Sequence, residues 1–175
     1  LPLRILKKPR SQFVYPDTTV SLNIAANEFA SAYQWQQDKG RGFSDLGNSE
    51  MYSGVNMDTL TIHGFKSGMS GYQYRCLISG TEDTLISSPA VLKLVPGNQT
   101  VIANENCEAI LPGYVDEMDL EQEPEPYTKI SGSTIVTISD PDEPDDNPQV
   151  SFQVNMLDTL APEISSVPGG ETTTE

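Results

Sequence analysis

Cysteine and histidine are almost absent from this chain of 175 residues, which contains two cysteines and one histidine. The two thiols, Cys76 and Cys107, fall on opposite sides of the domain boundary predicted below, so neither domain is expected to contain an internal disulfide. A zinc site needs three or four cysteine or histidine ligands, and hydrolytic catalysis needs a base beside its nucleophile. His63 has no such companions in the sequence, and we therefore expect a protein that is not an enzyme.

Positive charge is also scarce, and it is unevenly placed. Up to residue 95 there are 9 basic and 8 acidic residues, a net charge of +1, whereas from residue 96 onward Lys129 faces 17 acidic residues, a net charge of −16. An acidic surface repels phosphates, so we expect no nucleic acid partner. The chain also lacks any run of about 18 apolar residues, and we expect no membrane insertion. Cations and basic protein surfaces are more plausible partners.

A short proline pattern occurs twice, at an offset of 87 residues. The matching pairs are Pro2 and Pro89, Pro9 and Pro96, Gln12 and Gln99, and Val14 and Val101. An offset of this size corresponds to one small β-sandwich in a tandem array. The sequence therefore predicts two domains, at residues 11–95 and 96–164. Residues 1–10 are predicted to be the end of a preceding module or a linker, and residues 165–175 a flexible linker.

Short alternating β-type segments, separated by turn residues, fill the first predicted domain. Trp35 lies on a predicted third strand, and Tyr74 precedes Cys76 by two positions on a late strand. This combination resembles the immunoglobulin (Ig) fold, in which the tryptophan packs centrally and the tyrosine makes a corner hydrogen bond. Leu22 or Ile24 stands where the partner cysteine would be. The predicted fold class is all-β, with two tandem Ig-like β-sandwich domains.

Five ordered motifs of the first domain resemble the disulfide-free Ig-like repeats of very large Bacteroidota surface proteins, including gliding adhesins. The motifs are Tyr33-Gln34-Trp35-Gln36, Gly42-Phe43-Ser44-Asp45-Leu46, Met51-Tyr52-Ser53-Gly54, Thr59-Leu60-Thr61-Ile62 and Gly71-Tyr72-Gln73-Tyr74-Arg75-Cys76. The second domain resembles the HYR-type module through Asn98-Gln99-Thr100-Val101, Asn106-Cys107-Glu108-Ala109-Ile110-Leu111-Pro112-Gly113-Tyr114 and Asp158-Thr159-Leu160-Ala161-Pro162-Glu163-Ile164. It lacks the second cysteine of that module.

These resemblances imply an extracellular segment of a bacterial cell-surface adhesin, exported by the type IX pathway and involved in gliding motility. Its partners would be the neighbouring Ig-like modules of the same chain and a surface protein or polysaccharide. Two other functions stay open. One is a carbohydrate-binding or spacer module of an extracellular hydrolase, for which Tyr15, Tyr52, Tyr114 and Tyr127 are the candidate aromatic platform. The other is a subunit of an assembled surface fibre with sheet edges that accept a strand.

An acidic loop between residues 140 and 148 is the candidate metal site. It places Asp140, Asp142, Asp145 and Asp146 close together, and three prolines in the same stretch restrict its backbone. Carboxylate oxygens suit calcium, although the spacing is not that of an EF-hand. We expect these four residues to bind calcium weakly, and no other cofactor is expected. The alternative is an acidic loop that is only solvated.

Overall fold

The computed structural model describes residues 2–142 and 150–160, and strands account for most of the regular structure within them. A 3₁₀ turn at Ser67–Met69 interrupts the strands of the first domain. Those strands are β1 (Ile5–Lys7), β2 (Gln12–Val14), β3 (Val20–Asn23), β4 (Ala25–Ala26), β5 (Ala32–Asp38), β6 (Phe43–Asp45), β7 (Tyr52–Ser53), β8 (Thr59–Ile62), β9 (Tyr72–Ser79), β10 (Thr84–Ile86) and β11 (Ala90–Leu94). Within the described part of the chain, no helix is long and apolar enough to span a membrane.

Two sheets pack face to face in the first domain. The larger has the strand order β2-β11-β9-β5-β6, with β10 also paired to β9, and the smaller has the order β3-β8-β7. The strand β2 runs parallel to β11, while the other pairs are antiparallel. Burial alternates along the strands as the apolar and polar residues do. In β3, Val20 and Leu22 are buried, and Ser21 and Asn23 are exposed. This is the arrangement of an Ig-like sandwich.

Trp35 lies at the centre of the first core and is fully buried. It pairs across the sheet with Cys76, which is also fully buried, and its indole nitrogen donates to the carbonyl oxygen of Met57 at 2.9 Å. Leu22 and Ile24, the two candidates for the position of the missing second-strand cysteine, are both buried in the same core, at 0% and 3% exposure. Both cysteines are free, Cys76 in the core and Cys107 on the surface. Apolar packing therefore takes the place of a disulfide.

The hydroxyl group of Tyr74 does not make the expected corner hydrogen bond to the backbone. Its partner is a side chain, because Nε2 of the buried Gln37 donates to the hydroxyl oxygens of both Tyr74 and Tyr52 at 2.7 Å. Burial, together with the neighbouring Tyr52, raises the pKa of Tyr74 well above its usual value. The sequence resemblance did not reveal Gln37, because a glutamine on a strand is usually exposed.

Residues near the N-terminus lie against the first domain, which differs from the expected boundary at residue 10. The strand β1 pairs antiparallel with β4, through Ile5 with Ala26 and Lys7 with Ala25. Leu3 is only 7% exposed and belongs to the same core as Trp35. Because burial of Leu3 and the ladder between β1 and β4 both hold this segment, it forms part of the first sandwich in the structure.

The second domain repeats the order of the first on a smaller scale. Its strands are β12 (Gln99–Ile102), β13 (Ala109–Ile110), β14 (Glu121–Glu123), β15 (Lys129–Ile130), β16 (Thr134–Ser139) and β17 (Val150–Leu157). One sheet has the order β12-β17-β16-β14, with β12 parallel to β17, and β13 pairs with β15 in the other. Its core includes Leu111, Val136, Ile138, Phe152 and Val154. The predicted all-β class with two tandem sandwiches is confirmed.

Candidate functional site at the domain junction

The two domains meet along a surface where basic residues of the first face acidic loops of the second. We call this surface the junction. The loops are those that follow β13 and β16, and they lie at the end of the second sandwich from which β12 begins. The first domain contributes Lys8, Arg10, Phe13, Lys93 and Val95, and the second contributes Tyr114, Asp116, Met118, Asp119, Asp140 and Asp142.

Arg10 makes the most buried ionic contact of the junction. Its Nη1 donates to Oδ1 and Oδ2 of Asp140 at 2.8 and 2.9 Å, and lies 3.3 Å from Oδ2 of Asp142. Asp140 is only 4% exposed, and its Oδ1 also accepts from the backbone N–H of Asp142 at 2.9 Å. A carboxylate buried to this extent is unfavourable without a cation beside it. The first domain therefore supplies the positive charge that the second domain needs here.

Lys8 makes a more exposed contact on the same side of the junction. Its Nζ lies 2.8 Å from Oδ2 of Asp119. Partial burial opposes ionisation of Asp119, but hydrogen bonds from Lys8 and Ser11 outweigh it, and the pKa of this carboxyl group is lowered. Since both side chains are more than a third exposed, water and salt screen the pair. It orients the domains more than it stabilises them.

Lys93, at the end of β11, binds the backbone of the loop that follows β13. Its Nζ donates to the carbonyl oxygens of Tyr114 at 3.3 Å and of Asp116 at 2.9 Å. This loop approaches itself closely: a Cβ at Gly113 would lie 2.5 Å from Oδ1 of Asp116 and 2.6 Å from the hydroxyl oxygen of Tyr127. The Tyr127 hydroxyl donates to Oδ2 of Asp116. A larger residue at position 113 would therefore have to displace the side chains of Asp116 and Tyr127.

Apolar contacts accompany the charges. Phe13 and Val95 of the first domain pack against the core of the second, together with Tyr114 and Met118. The ring of Tyr114 meets that of Phe152 edge to face, with centroids 4.7 Å apart. Phe13 can reach this core because β2 alternates: its neighbour Val14 points into the first core and Phe13 points the other way. The second core is thus completed by residues of the first domain.

The structure describes two of the four predicted calcium ligands. Asp140 and Asp142 come together, and Arg10 lies against both. Asp145 and Asp146 lie outside the described residues. Within the described ranges, no three carboxylate, histidine or cysteine side chains are grouped closely enough to hold a metal ion. Calcium binding by the complete loop stays a prediction, and the calcium ion would compete with Arg10 for Asp140.

The structure also brings together a pair that the sequence did not indicate. Oγ of Ser53 lies 2.9 Å from Nε2 of His63, across the pair of strands β7 and β8. A hydrolytic site would also need a group that orients the imidazole and donors for an oxyanion. In residues 2–142 and 150–160, no carboxylate contacts His63. The absence of enzymatic activity remains an expectation.

The tyrosines of the carbohydrate-binding alternative do not form one platform. Tyr52 bonds to Gln37 and packs on the first core, and Tyr114 packs on the second. Tyr15 and Tyr127 are exposed, at 60% and 62%, but they belong to different domains. The expected signature of that alternative is therefore not formed by these four residues.

No family model matches this chain. No curated protein matches it either. Among solved structures it is similar to domain I10 of titin, at 19% identity, over 54% of this chain and 100% of that chain, with a TM-score of 0.42. It is also similar to the twitchin kinase region from C. elegans, at 19% identity, over 53% of this chain and 16% of that chain, with a TM-score of 0.43. The strand pairings described above identify the fold independently.

Proposed function

We propose that this chain is a structural and adhesive tandem segment of a secreted bacterial cell-surface adhesin. The junction is the observation that carries this proposal. Two sandwiches follow one another with almost no spacer, and Arg10 of one lies against the buried carboxylate of Asp140 in the other. A segment built in this way holds its neighbours at a fixed distance and orientation.

The junction resists bending for a physical reason. Separating the domains would leave the Asp140 carboxylate without Arg10 and would expose Phe13 and Val95 to water. Both changes are unfavourable, the first through lost charge pairing and the second through apolar exposure. Modules linked by a free spacer would meet neither penalty. A stiff connection suits an array that carries a binding surface away from the cell.

The finer assignment draws on the sequence resemblance. Motifs around Trp35 and Tyr74 resemble repeats of Bacteroidota gliding adhesins, and the region around Cys107 resembles HYR-type modules. We therefore propose an extracellular location on the cell surface, export by the type IX pathway, a part in gliding motility and no enzymatic activity. The neighbouring Ig-like modules of the same chain would be its structural partners.

A fibre subunit is the less favoured alternative. Assembly by strand addition needs a long, open sheet edge. At one edge of each larger sheet lie β6 and β14, with three residues each and with carboxylates: Asp45 on β6, and Glu121 and Glu123 on β14. At the opposite edges, β2 and β12 are uncharged but have only three and four residues. Short or charged edges of this kind oppose strand addition.

Labelling of intact cells tests the proposal. Antibodies against the whole 175-residue chain should bind unpermeabilised cells of the source organism, and brief protease treatment of those cells should remove the signal. A cytoplasmic protein, probed in parallel, controls for leaky cells. Labelling that appears only after permeabilisation would refute the cell-surface assignment.

A further inference from the structure

On the outer face of the larger sheet of the first domain, the side chain of Arg75 is fixed by its neighbours and takes no part in the junction. Tyr74 and Cys76 of β9 point into the core, so Arg75 between them points outward. Arg75 lies opposite Gln36 of β5, and β6 follows beyond it with Phe43 and Asp45. These four side chains form a row across three strands.

Each group in this row fixes the next one. Nε of Arg75 donates to Oε1 of Gln36 at 2.8 Å, and Nε2 of Gln36 donates to Oδ1 of Asp45 at 2.8 Å. The guanidinium carbon of Arg75 lies 3.9 Å from the centroid of the Phe43 ring. Stacking and the Nε hydrogen bond together hold the guanidinium plane in one orientation. Little side-chain entropy then remains to be lost when a ligand binds.

The outer end of this guanidinium is available. Within the described residues, Nη1 and Nη2 of Arg75 have no hydrogen-bond partner, and neither has the side-chain amide of Gln73, two positions earlier on the same face. Two parallel N–H donors match the two oxygens of a carboxylate. A neighbouring amide offers both a donor and an acceptor, as a sugar hydroxyl requires.

We propose that Arg75, held by Phe43 and Gln36 and flanked by Gln73, binds the carboxylate of an acidic sugar in a surface glycan. This inference rests on the proposed adhesive function and names the ligand class for it. The outward positions around Arg75 carry the amides of Gln34, Gln36 and Gln73. They also carry the carboxylates of Asp38, opposite Gln73, and Asp45, opposite Gln36, which leaves room for a single negative charge at Arg75. Such a face fits a polymer with one carboxylate among many hydroxyl groups. Densely charged polyanions would be repelled by the −16 charge of the second half.

Titration of the whole chain with matched sugars tests the site. The probes are α-methyl galacturonoside and its methyl ester, which has the same ring without the charge, and sialyllactose with lactose as a second pair. In ¹⁵N NMR spectra, the acidic member of each pair should shift the signals of Gln36, Gln73 and Arg75 saturably. The neutral member should not.

Variants distinguish recognition by the oriented guanidinium group from attraction by its positive charge alone. Arg75→Lys keeps the charge but loses the bidentate donors, and should weaken binding about tenfold or more. Phe43→Leu should weaken it less, since it removes only the stacking. Arg41→Lys in the exposed turn before β6 is the matched control, and should leave binding unchanged.

Three results would overturn the proposal. They are the absence of shifts on this face at millimolar sugar, equal affinity of Arg75→Lys and the unaltered chain, and equal binding of a glutamate oligopeptide. The cell-labelling experiment is independent of these results. If the site binds acidic sugar but intact cells do not label, the glycan site stands and the surface assignment fails.

Discussion

Replacement of Arg10 by alanine tests whether the junction joins the two domains energetically. The side chain of Arg10 is 21% exposed and that of Asp140 is 6% exposed, so the pair is largely desolvated. Removing one partner of a buried pair costs about 3–5 kcal/mol, and the remaining solvent access of Arg10 reduces this to about 2–4 kcal/mol. The contact with Asp142 adds less, because the side chain of Asp142 is 63% exposed.

This loss has an upper limit. When Arg10 is absent, the second domain can swing away and hydrate Asp140, so the cost cannot exceed the free energy that docks the domains. We therefore expect Arg10→Ala both to destabilise the second domain and to release it. For a domain of this size, each kcal/mol corresponds to about 4–8 °C in Tm, so the full loss would lower its transition by roughly 8–30 °C, and release of the domain keeps the drop near the lower end, roughly 10 °C.

Calorimetry and ¹⁵N relaxation measure the two effects. In the unaltered chain both domains should tumble together, and in Arg10→Ala they should tumble with different correlation times. A double-mutant cycle with Asp140→Asn should show a coupling energy of about 1.5–3 kcal/mol. Arg41→Ala removes an equal charge from an exposed turn and serves as the control. If both arginine variants melt alike, and the domains still tumble together, the reasoning about the junction is wrong.

Further expectations concern the core, the thiols, the acidic pH range and calcium. Trp35→Ala should destabilise the first domain by about 3–5 kcal/mol, and near-native melting measured by near-UV circular dichroism would show that the core assignment is wrong. Burial raises the pKa of Cys76 to about 11, so thiol reagents at neutral pH should label Cys107 alone; rapid double labelling in mass spectrometry would contradict this. The pKa of Asp119 is lower folded than unfolded, so its stabilising effect is present above the ordinary value of 3.8 and is lost as pH falls below it; a carboxyl ¹³C titration with a midpoint above 3.8 would refute this. Calcium should raise the Tm of the second domain more than magnesium does, and at ten times its Kd it should stabilise the domain by about 1.4 kcal/mol. The stabilisation should be larger in Arg10→Ala, where Arg10 no longer competes for Asp140. Equal effects of the two ions on Tm would show that the loop is only solvated.

Local pattern predicted most of the fold. The motifs at residues 33–36, 59–62 and 71–76 fall on β5, β8 and β9, because each of these strands buries one face and the side-chain period of a strand is two. Trp35 and Tyr74 indicated the Ig-like arrangement. The pairing of β1 with β4 was not predicted, since β1 has only three residues and its alternation is too short to read. The similarity of residues 2–9 to residues 89–96 instead predicted that this segment is the end of a preceding module.

The junction could be predicted only in part. The sequence predicted Asp140 and Asp142 as calcium ligands together with Asp145 and Asp146, and that stays a prediction. The cation beside Asp140 is Arg10, 130 residues away in sequence. No local pattern connects residues at such a separation, because their approach depends on how two finished domains dock. The uneven charge of the two halves was the available signal, and it predicted cations or basic protein surfaces as partners without indicating that the basic surface belongs to the same chain.

That uneven charge has an internal use. Within the described residues, Lys8, Arg10 and Lys93 of the first half contact the second domain, whose sequence contains Lys129 as its single basic residue. The half of the chain from residue 96 onward has a net charge of −16 and repels itself, and basic residues supplied by the first domain relieve this repulsion where the loops converge. The contacts differ in their response to salt. Dissolved ions, with a Debye length of about 8 Å at physiological ionic strength, screen the exposed pair of Lys8 and Asp119, whereas they screen the buried pair of Arg10 and Asp140 much less. Rising salt should therefore loosen the orientation of the domains before it separates them.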